Sequence, residues 1–505
     1  MHLSSYIIRT ILYTRRKAID AMRQRPLEIQ GQQFAELMKI GDNSAFFKHN
    51  ALNKNSTYEQ FRKHVPIVSY EQFAPWIERS VGGENHVLTN VNPKWAAKSS
   101  GTTNSKSKII PINSPSLQNC HYRGAKDVII SCVSAKPNTM AYSGRSLTLG
   151  GSQDISSVNS NIKIGDLSAI LIDNTPQWVG LIREPKSEIA LISDFEQKIE
   201  AIAKNTVSKS ITSIAGVPSW NLVLMRKILE YTGKKNLLEV WPNLSLFMHG
   251  GIAFEPYRKQ FKELIPSDDM IYLETYNASE GFFAIQDDLN DRAMMLMLDY
   301  GTFYEFVPMK TIDDHTTAVT LEGVQVGVNY AMVISTLGGL WRYLIGDTVM
   351  FTSTNPYKLV ITGRTKHYIN AFGEELMVGN ADAAIIKACE ITGAIVNNYT
   401  VAPIFMQTNT KGAHQWLVEF ETMPNCSISE FATVLDVELQ NVNSDYAAKR
   451  ANNATMDELV LTQLQNGTFV RWLAAKGKLG GQNKVPRLCP DREYVDAILE
   501  YNTPK

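Results

Sequence analysis

The chain has 505 residues, 44% of them hydrophobic and 20% charged, and Lys+Arg and Asp+Glu both total 50, so the formal net charge is zero. At about 100–200 residues per domain this is material for roughly two to four domains with a large core. A balanced charge argues against a general nucleic-acid binder, whose footprint is basic, but not against a local cationic pocket for phosphates. The odd set Cys120, Cys132, Cys389, Cys426 and Cys489 contains no CxxC pair. It argues against a disulfide framework or a structural zinc, and for a reducing cytoplasm with each cysteine buried in packing.

At the N-terminus, Tyr6-Ile7-Ile8 and Ile11-Leu12-Tyr13 are interrupted by Arg9 and followed by Arg15-Arg16-Lys17. The run is too short and too charged for a signal or membrane-spanning segment and reads as an amphipathic helix; no later stretch predicts a membrane span. Residues 1–90 read mostly as helices, with apolar residues at helical spacing through Ile19–Met38. Across 91–360 short β-branched runs (Val128–Ile130, Ala169–Ile172, Ala331–Ser335) alternate with helical stretches, as in α/β layering. Val349–Thr352 and Lys358–Thr362 read as strands joined by a turn at Ser353–Pro356. The pattern then changes: Leu376–Thr392 is helical, Gln415–Glu421 a strand and Ser427–Asn443 helical, predicting a separate α+β domain over 364–505 after a larger one over 1–363. Lys476–Asn483 is the least ordered candidate by composition.

Five segments carry chemistry. Lys98–Lys108 (KSSGTTNSKSK) offers small hydroxyl and glycine residues, unobstructed backbone N–H groups and lysines, the means to hold a phosphate chain, although it is no Walker A loop. Tyr272–Gly281 places an aromatic ring, a hydroxyl and a carboxylate within five residues after an apolar strand. A ring can stack on a base, a hydroxyl can contact phosphate and a carboxylate can hold Mg²⁺; the plain alternative is a strand end with Ser279 capping a helix. Leu340–Asp347 ends in Gly-Asp, where a carboxylate can accept from a ribose diol or merely shape a turn. Val360–Glu375 brings Arg364, suited to forked contact with ribose or phosphate oxygens, or simply a basic hairpin. Gly480–Arg487 carries Lys484 between glycines and a proline, either a lysine on a mobile loop or an exposed one.

Singly each segment is weak, but the order SSGTT…K, YxxSE, YxxGD, GRxKxxI and a late lysine resembles the adenylate-forming superfamily. With His249–Ala253 and Lys484–Arg487 it is similar, over nearly the whole chain, to the GH3 acyl acid–amido synthetase family. The resemblance implies a large N-terminal ATP- and acyl-acid-binding domain and a small mobile C-terminal one, hinged at Gly363, Arg364 and Thr365. Ser99, Ser100, Gly101, Thr102, Thr103 and Lys108 would hold the β- and γ-phosphates. Gly250 and Gly251 would form the glycine turn near the adenine, and Tyr276 would flank that base within the segment Tyr276, Asn277, Ala278 and Ser279. Ser279 would contact the α-phosphate, Asp347 the ribose, and Glu280 would place Mg²⁺. Arg364 would bind the nucleotide, and Lys484 would offset charge at the reacting phosphorus.

Two departures stand out: the usual YRxGD reads Tyr343-Leu344-Ile345-Gly346-Asp347, with Arg342 preceding the tyrosine instead of an arginine following it, and the loop before Lys108 is a residue longer than in acyl-CoA ligases. The implied reaction uses ATP and Mg²⁺ to adenylate a small carboxylic acid and hands the acyl group to an amine, an amino acid by preference. No nucleic acid or membrane partner is implied. Rival expectations are an acyl-CoA ligase, with the same first step and a thiol acceptor, and a catalytically silent binding protein.

Overall fold

The computed structural model describes residues 13–99, 108–150, 156–159, 162–175, 179–192, 194–251, 254, 257–365, 368–374, 376–407, 410–451, 455–475 and 485–502. The segments Tyr6–Leu12, Ser100–Ser107 and Lys476–Lys484 of the sequence reading, with Lys366 and His367, lie outside the described residues. Internal contacts divide the chain into two units.

The first unit comprises Met1–Ser99, Lys108–Gly251 and Lys262–Thr365. Its strands, in chain order, are β1 Trp95–Ser99, β2 Lys108–Ile112, β3 Arg145–Leu149, β4 Ser156–Asn159, β5 Ile162–Asp166, β6 Arg183–Glu184, β7 Ile211–Gly216, β8 Leu246–His249, β9 Ile271–Ala278, β10 Gly281–Gln286, β11 Met294–Leu296, β12 Thr302–Pro308, β13 Val319–Thr320, β14 Asn329–Thr336, β15 Tyr343–Thr354 and β16 Tyr357–Arg364. Four form the sheet β2-β1-β5-β4, and the rest run as β13-β12-β14-β15-β16-β11-β10-β9-β8-β7-β3-β6. Both faces of the long sheet's middle are covered, since β10 is buried at every position and β14 at all but its first. That is why these strands read as continuous apolar runs instead of alternating ones.

The N-terminal region is helical as expected, with Tyr13–Gln24, Pro26–Gly41, Ala45–His49, Tyr58–His64 and Tyr70–Val81. Pro26 opens its helix, where the missing N–H costs nothing, and Thr57 with Gln60 forms a reciprocal cap. Two buried amides fasten the second helix to the sheet. Gln30 Nε2 donates to Leu298 O (2.9 Å) and Thr302 O (3.0 Å), its Oε1 accepts from Tyr304 N–H, and Gln33 Oε1 accepts from Gly301 N–H. Two expected strands are helices: Val128–Ile130 lies in Tyr122–Ala135 and Ala169–Ile172 in Leu167–Asp173. A three- or four-residue apolar run fits either period. Here helical spacing wins because Gly124, Asp127, Val128 and Ile130 are buried together, and Asp127 is clamped by Arg15 Nη2 (2.6 Å) and Tyr300 Oη (2.7 Å).

The second unit is built mainly from Lys366–Lys505, joined by Ile252–Phe261, where Gln260 Nε2 donates to Met406 O (2.5 Å). A short hairpin of β17 (Tyr368–Ile369) and β18 (Leu376–Met377) precedes the sheet β19-β20-β21, formed by Ile395–Ile404, Ala413–Thr422 and Val460–Leu464. The expected helix Leu376–Thr392 starts two residues late, at Val378, because β18 takes its beginning. The expected strand Gln415–Glu421 lies within β20. The helix expected over Ser427–Asn443 runs Ile428–Val442, with Ser427 and Glu430 in a capping box. All five cysteines are free thiols, as the spacing implied. Cys389 and Cys426 are only half-buried, which corrects the expectation that every one is packed inside. Among the described residues no helix is long and apolar enough to cross a membrane.

Candidate nucleotide-binding site

Strands β3, β7, β8 and β9 run parallel, so their carboxyl ends open on one end of the long sheet. In open α/β sheets that end is where a crevice for ligands forms. β8 stops there at His249-Gly250-Gly251. A side chain on Gly250 would place its Cβ 2.5 Å from Thr275 O, and Gly251 holds φ +82, so both positions require glycine. Thr275 Oγ1 donates to His249 O (3.1 Å) and ties this turn to β9.

β9 and β10 form a tight hairpin in which Ala278 pairs with Gly281, leaving Ser279 and Glu280 as the turn. Ser279 therefore caps no helix. Asn277 is exposed, whereas Tyr276 is 4% exposed, its ring 5.0 Å from that of Phe283. The Tyr276 hydroxyl donates to Asp347 Oδ2 at 2.6 Å. Asp347 is paired across β15–β16 with Arg364, whose Nε lies 2.8 Å from Asp347 Oδ1. Gly346, at φ +95, turns the backbone before Asp347 and accepts the Thr365 N–H (2.7 Å). Burial and the neighbouring Asp347 raise the Tyr276 hydroxyl well above its ordinary pKa, so it stays a donor. Gly363 and Arg364 are still in the ladder with β15, and the chain passes to the second unit after Thr365.

Glu280 completes the group. Burial raises its pKa, Lys108 and Arg364 oppose that rise, and Asp347 adds to it. Lys108, Asp347 and Arg364 thus each act on Glu280 through space, and Arg364 is paired with Asp347. Lys108 opens β2 opposite Ser99, the last residue of β1, so the hairpin delivers both ends of the SSGTT loop to fixed positions. Ser100, Gly101, Thr102 and Thr103 lie outside the described residues, as does Lys484. The segment after Lys484 is fixed in the second unit: Thr400 Oγ1 donates to Pro486 O (2.6 Å), Val401 N–H to Arg487 O (3.0 Å), and Arg487 lies 4.5 Å from the Tyr399 ring centroid.

Arg342 does not join this group. Its guanidinium grips Glu305 (2.8 and 2.9 Å), so it does not stand in for the arginine missing after Tyr343. Two tyrosines near this group received no role from the sequence. Tyr343 is fully buried and its hydroxyl has no partner among the described residues. Tyr70 accepts the Ile109 N–H (2.9 Å), a contact between positions whose sequence neighbourhoods give no hint of each other. Tyr343 stood inside a motif already singled out; Tyr70 had no such signal.

Family models cover most of the chain: the GH3 family N-terminal domain over residues 15–270, its central domain over 295–364 and its C-terminal domain over 379–493. The chain is similar to the indole-3-acetic acid-amido synthetase GH3.4 of Arabidopsis thaliana, at 23% identity over 95% of this chain and 93% of that one. The 4-substituted benzoates-glutamate ligase GH3.12 of the same plant is 22% identical, covering 85% and 87%. Among solved structures, a GH3.15 acyl acid amido synthetase in complex with 2,4-DB matches with a TM-score of 0.58 at 15% identity, over 95% and 94% of the two chains. A 2-hydroxyisobutyryl-CoA ligase matches with 0.56 at 13%, over 94% and 92%. At such identities the two structures speak for the fold alone: a large α/β part followed by a smaller domain.

Proposed function

Because the chain belongs to the GH3 family, we infer that it is an ATP-dependent acid–amino acid ligase, which adenylates a small carboxylic acid and passes the acyl group to an amine. The observation that carries the nucleotide site is the grouping of Tyr276, Glu280, Asp347 and Arg364 with Lys108 where parallel strands end. A carboxylate offers about four lone-pair sites. Tyr276 and Arg364 occupy part of that capacity on Asp347, and the remainder suits a ribose diol. Tyr276 would border the adenine beside the Gly250-Gly251 turn, and Ser279, in the hairpin turn that follows Asn277 and Ala278, would meet the α-phosphate.

Ser99–Thr103 and Lys108 would neutralise the outer phosphates, so that a carboxylate can approach a highly charged triphosphate. Among the described residues no cluster of three or more His, Cys, Asp or Glu could hold a metal by itself. A single carboxylate, Glu280, beside a phosphate site fits Mg²⁺ arriving with the nucleotide, since this ion keeps phosphate oxygens and waters as its other ligands. When bound there, Mg²⁺ would withdraw charge from those oxygens. Lys484 would stabilise charge at the α-phosphorus as pyrophosphate leaves. The second unit would turn about Gly363–Thr365 before the amine attacks the mixed anhydride and AMP departs.

One named relative is an indole-3-acetic acid-amido synthetase and the other a 4-substituted benzoates-glutamate ligase, which favours an amine over the thiol of coenzyme A as acceptor. The test is a pyrophosphate-release screen with a panel of carboxylic acids, followed by mass spectrometry of products formed with mixed amino acids or with coenzyme A. Amide products are expected. Thioesters would transfer the chain to the CoA-ligase class, and no release with any acid would favour a silent binding protein. Lys484→Ala is expected to slow adenylate formation at least ~10²-fold; release at the wild-type rate would remove its role.

A further inference from the structure

The helix Tyr70–Val81 begins beside two segments of the nucleotide site. Just before it, Val68 bridges β15 at Tyr343: Leu344 N–H donates to Val68 O (2.9 Å) and Val68 N–H to Arg342 O (3.1 Å). Gln72 Oε1 accepts the Ser69 N–H (2.9 Å) and fixes the first turn. Tyr70, the helix's first residue, then reaches β2 twice. Its hydroxyl oxygen accepts the Ile109 N–H at 2.9 Å, and its ring centroid lies 5.7 Å from Lys108 Nζ. β2 is an edge strand, and Ile109, paired with Lys98, would otherwise leave a ladder donor without support on its open side. The phenol is half-buried, and burial raises its pKa, so the contact with Lys108 is a cation over a neutral ring.

We propose that Tyr70 is a positioning residue for the outer phosphates of ATP: it pins the backbone at the start of β2 through Ile109 and holds the Lys108 ammonium over its ring, so that both contacts act through Lys108. This rests on the reading that Lys108 meets those phosphates. The hydrogen bond fixes where β2 begins, and the ring restricts a side chain with four rotatable carbons to a few rotamers. Lys108 is thereby ordered before the nucleotide arrives, and the entropy of ordering it is not charged against binding. The remaining links of Tyr70, through Val68 to β15, set it at a constant distance from the strand that carries Asp347.

Calorimetric titration of the full chain with Mg·ATP and, separately, with AMP tests the assignment without knowledge of the acid substrate. Tyr70→Leu is expected to weaken Mg·ATP about tenfold, and Tyr70→Phe, which keeps the ring, about threefold. AMP, which lacks the outer phosphates, should bind both variants as it binds the native chain. In a Lys108→Ala background, which itself weakens Mg·ATP, Tyr70→Leu should add nothing further. If Lys108→Ala weakens Mg·ATP and Tyr70→Phe and Tyr70→Leu do not, the positioning role is wrong while Lys108 keeps its place. Equal loss of ATP and AMP affinity would mean that Tyr70 merely supports the fold. A silent Lys108→Ala would remove Lys108 from the phosphates and the proposal with it.

Discussion

Two arginines flank the hairpin of β15 and β16, and each faces a carboxylate, yet they are built to opposite ends. Arg342 and Glu305 have side chains 4% and 1% exposed, and every polar group of the pair is engaged. Glu305 takes both Arg342 Nε and Nη2 and the Tyr58 hydroxyl, while Arg342 Nη1 donates to Arg62 O and Val65 O. Arg342 also sits at φ +45, a left-handed conformation costly for a residue with a side chain, and its N–H donates to Ser335 Oγ (3.0 Å). Arg364 and Asp347, at 23% and 13%, are more open, and one of the Asp347 oxygens answers a tyrosine from another strand pair. A closed network leaves no capacity for a ligand; an open one keeps acceptor sites available. Saturation, more than the presence of an ion pair, separates a structural pair from a candidate binding one.

The largest effect should follow from breaking the closed pair. Arg342→Met leaves Glu305 buried and uncompensated and is expected to cost about 3–5 kcal/mol of stability, read from the denaturant midpoint. Replacing both members by apolar residues should recover most of that loss, because no lone charge then remains. Affinity of the folded variants for Mg·ATP should stay at the native level. A stability loss under ~1 kcal/mol would show that the pair is not closed, and a change in ATP affinity without one would place Arg342 in the nucleotide site after all.

In the open pair the order reverses. Asp347→Ala should weaken Mg·ATP about tenfold, the worth of one charge-assisted hydrogen bond to a ligand, at a stability cost of about 1 kcal/mol. Unchanged ATP binding would remove Asp347 from the ribose. The contrast with Arg342 makes the result interpretable, since the two variants must separate along stability and affinity in opposite directions.

The candidate site was far more legible in the sequence than the closed pair. Tyr276, Glu280, Asp347 and Arg364 lie in local motifs in which a strand end, a glycine and a charge sit within a few residues, and such grouping survives in one dimension. Arg342 looked like a displaced motif residue because its partner, Glu305, lies 37 positions away in an apolar strand with no pattern of its own. Tyr70 was silent for the same reason, its target being 39 positions downstream. The fold failed where runs were short. Val128–Ile130 and Ala169–Ile172 are apolar for three or four residues, too few to separate a period of 3.6 from continuous burial, and only tertiary partners, the shared burial of Gly124, Asp127, Val128 and Ile130 and the contacts of Asp127 with Arg15 and Tyr300, settle the first as a helix. The long, capped helix after Ser427 and the hairpin at Asn355-Pro356 were readable because their ends carry their own chemistry.

The smallest effect at neutral pH, and the sharpest test of the open site, concerns Glu280. Its burial raises the carboxyl pKa above the ordinary 4.5, with Lys108 and Arg364 opposing the rise. For the free enzyme, kcat/KM for ATP should fall on acidification once Glu280 takes up a proton, and the midpoint should lie above that of an exposed carboxylate. Stability must move the other way. Between the unfolded and folded pKa the native state binds more protons than the unfolded chain, so the Glu280 contribution is fully present below 4.5 and is lost as pH rises through the raised value. Glu280→Gln should therefore be the more stable protein at neutral pH, with its advantage shrinking as pH falls through the same window. Thermal melts of the two proteins across pH, set beside the activity profile of the native chain, check both signs at once. An acid limb at the ordinary carboxylate position, or a Glu280→Gln advantage that does not change with pH, would show that the carboxylate is solvated like any other and is not held in readiness for a cation.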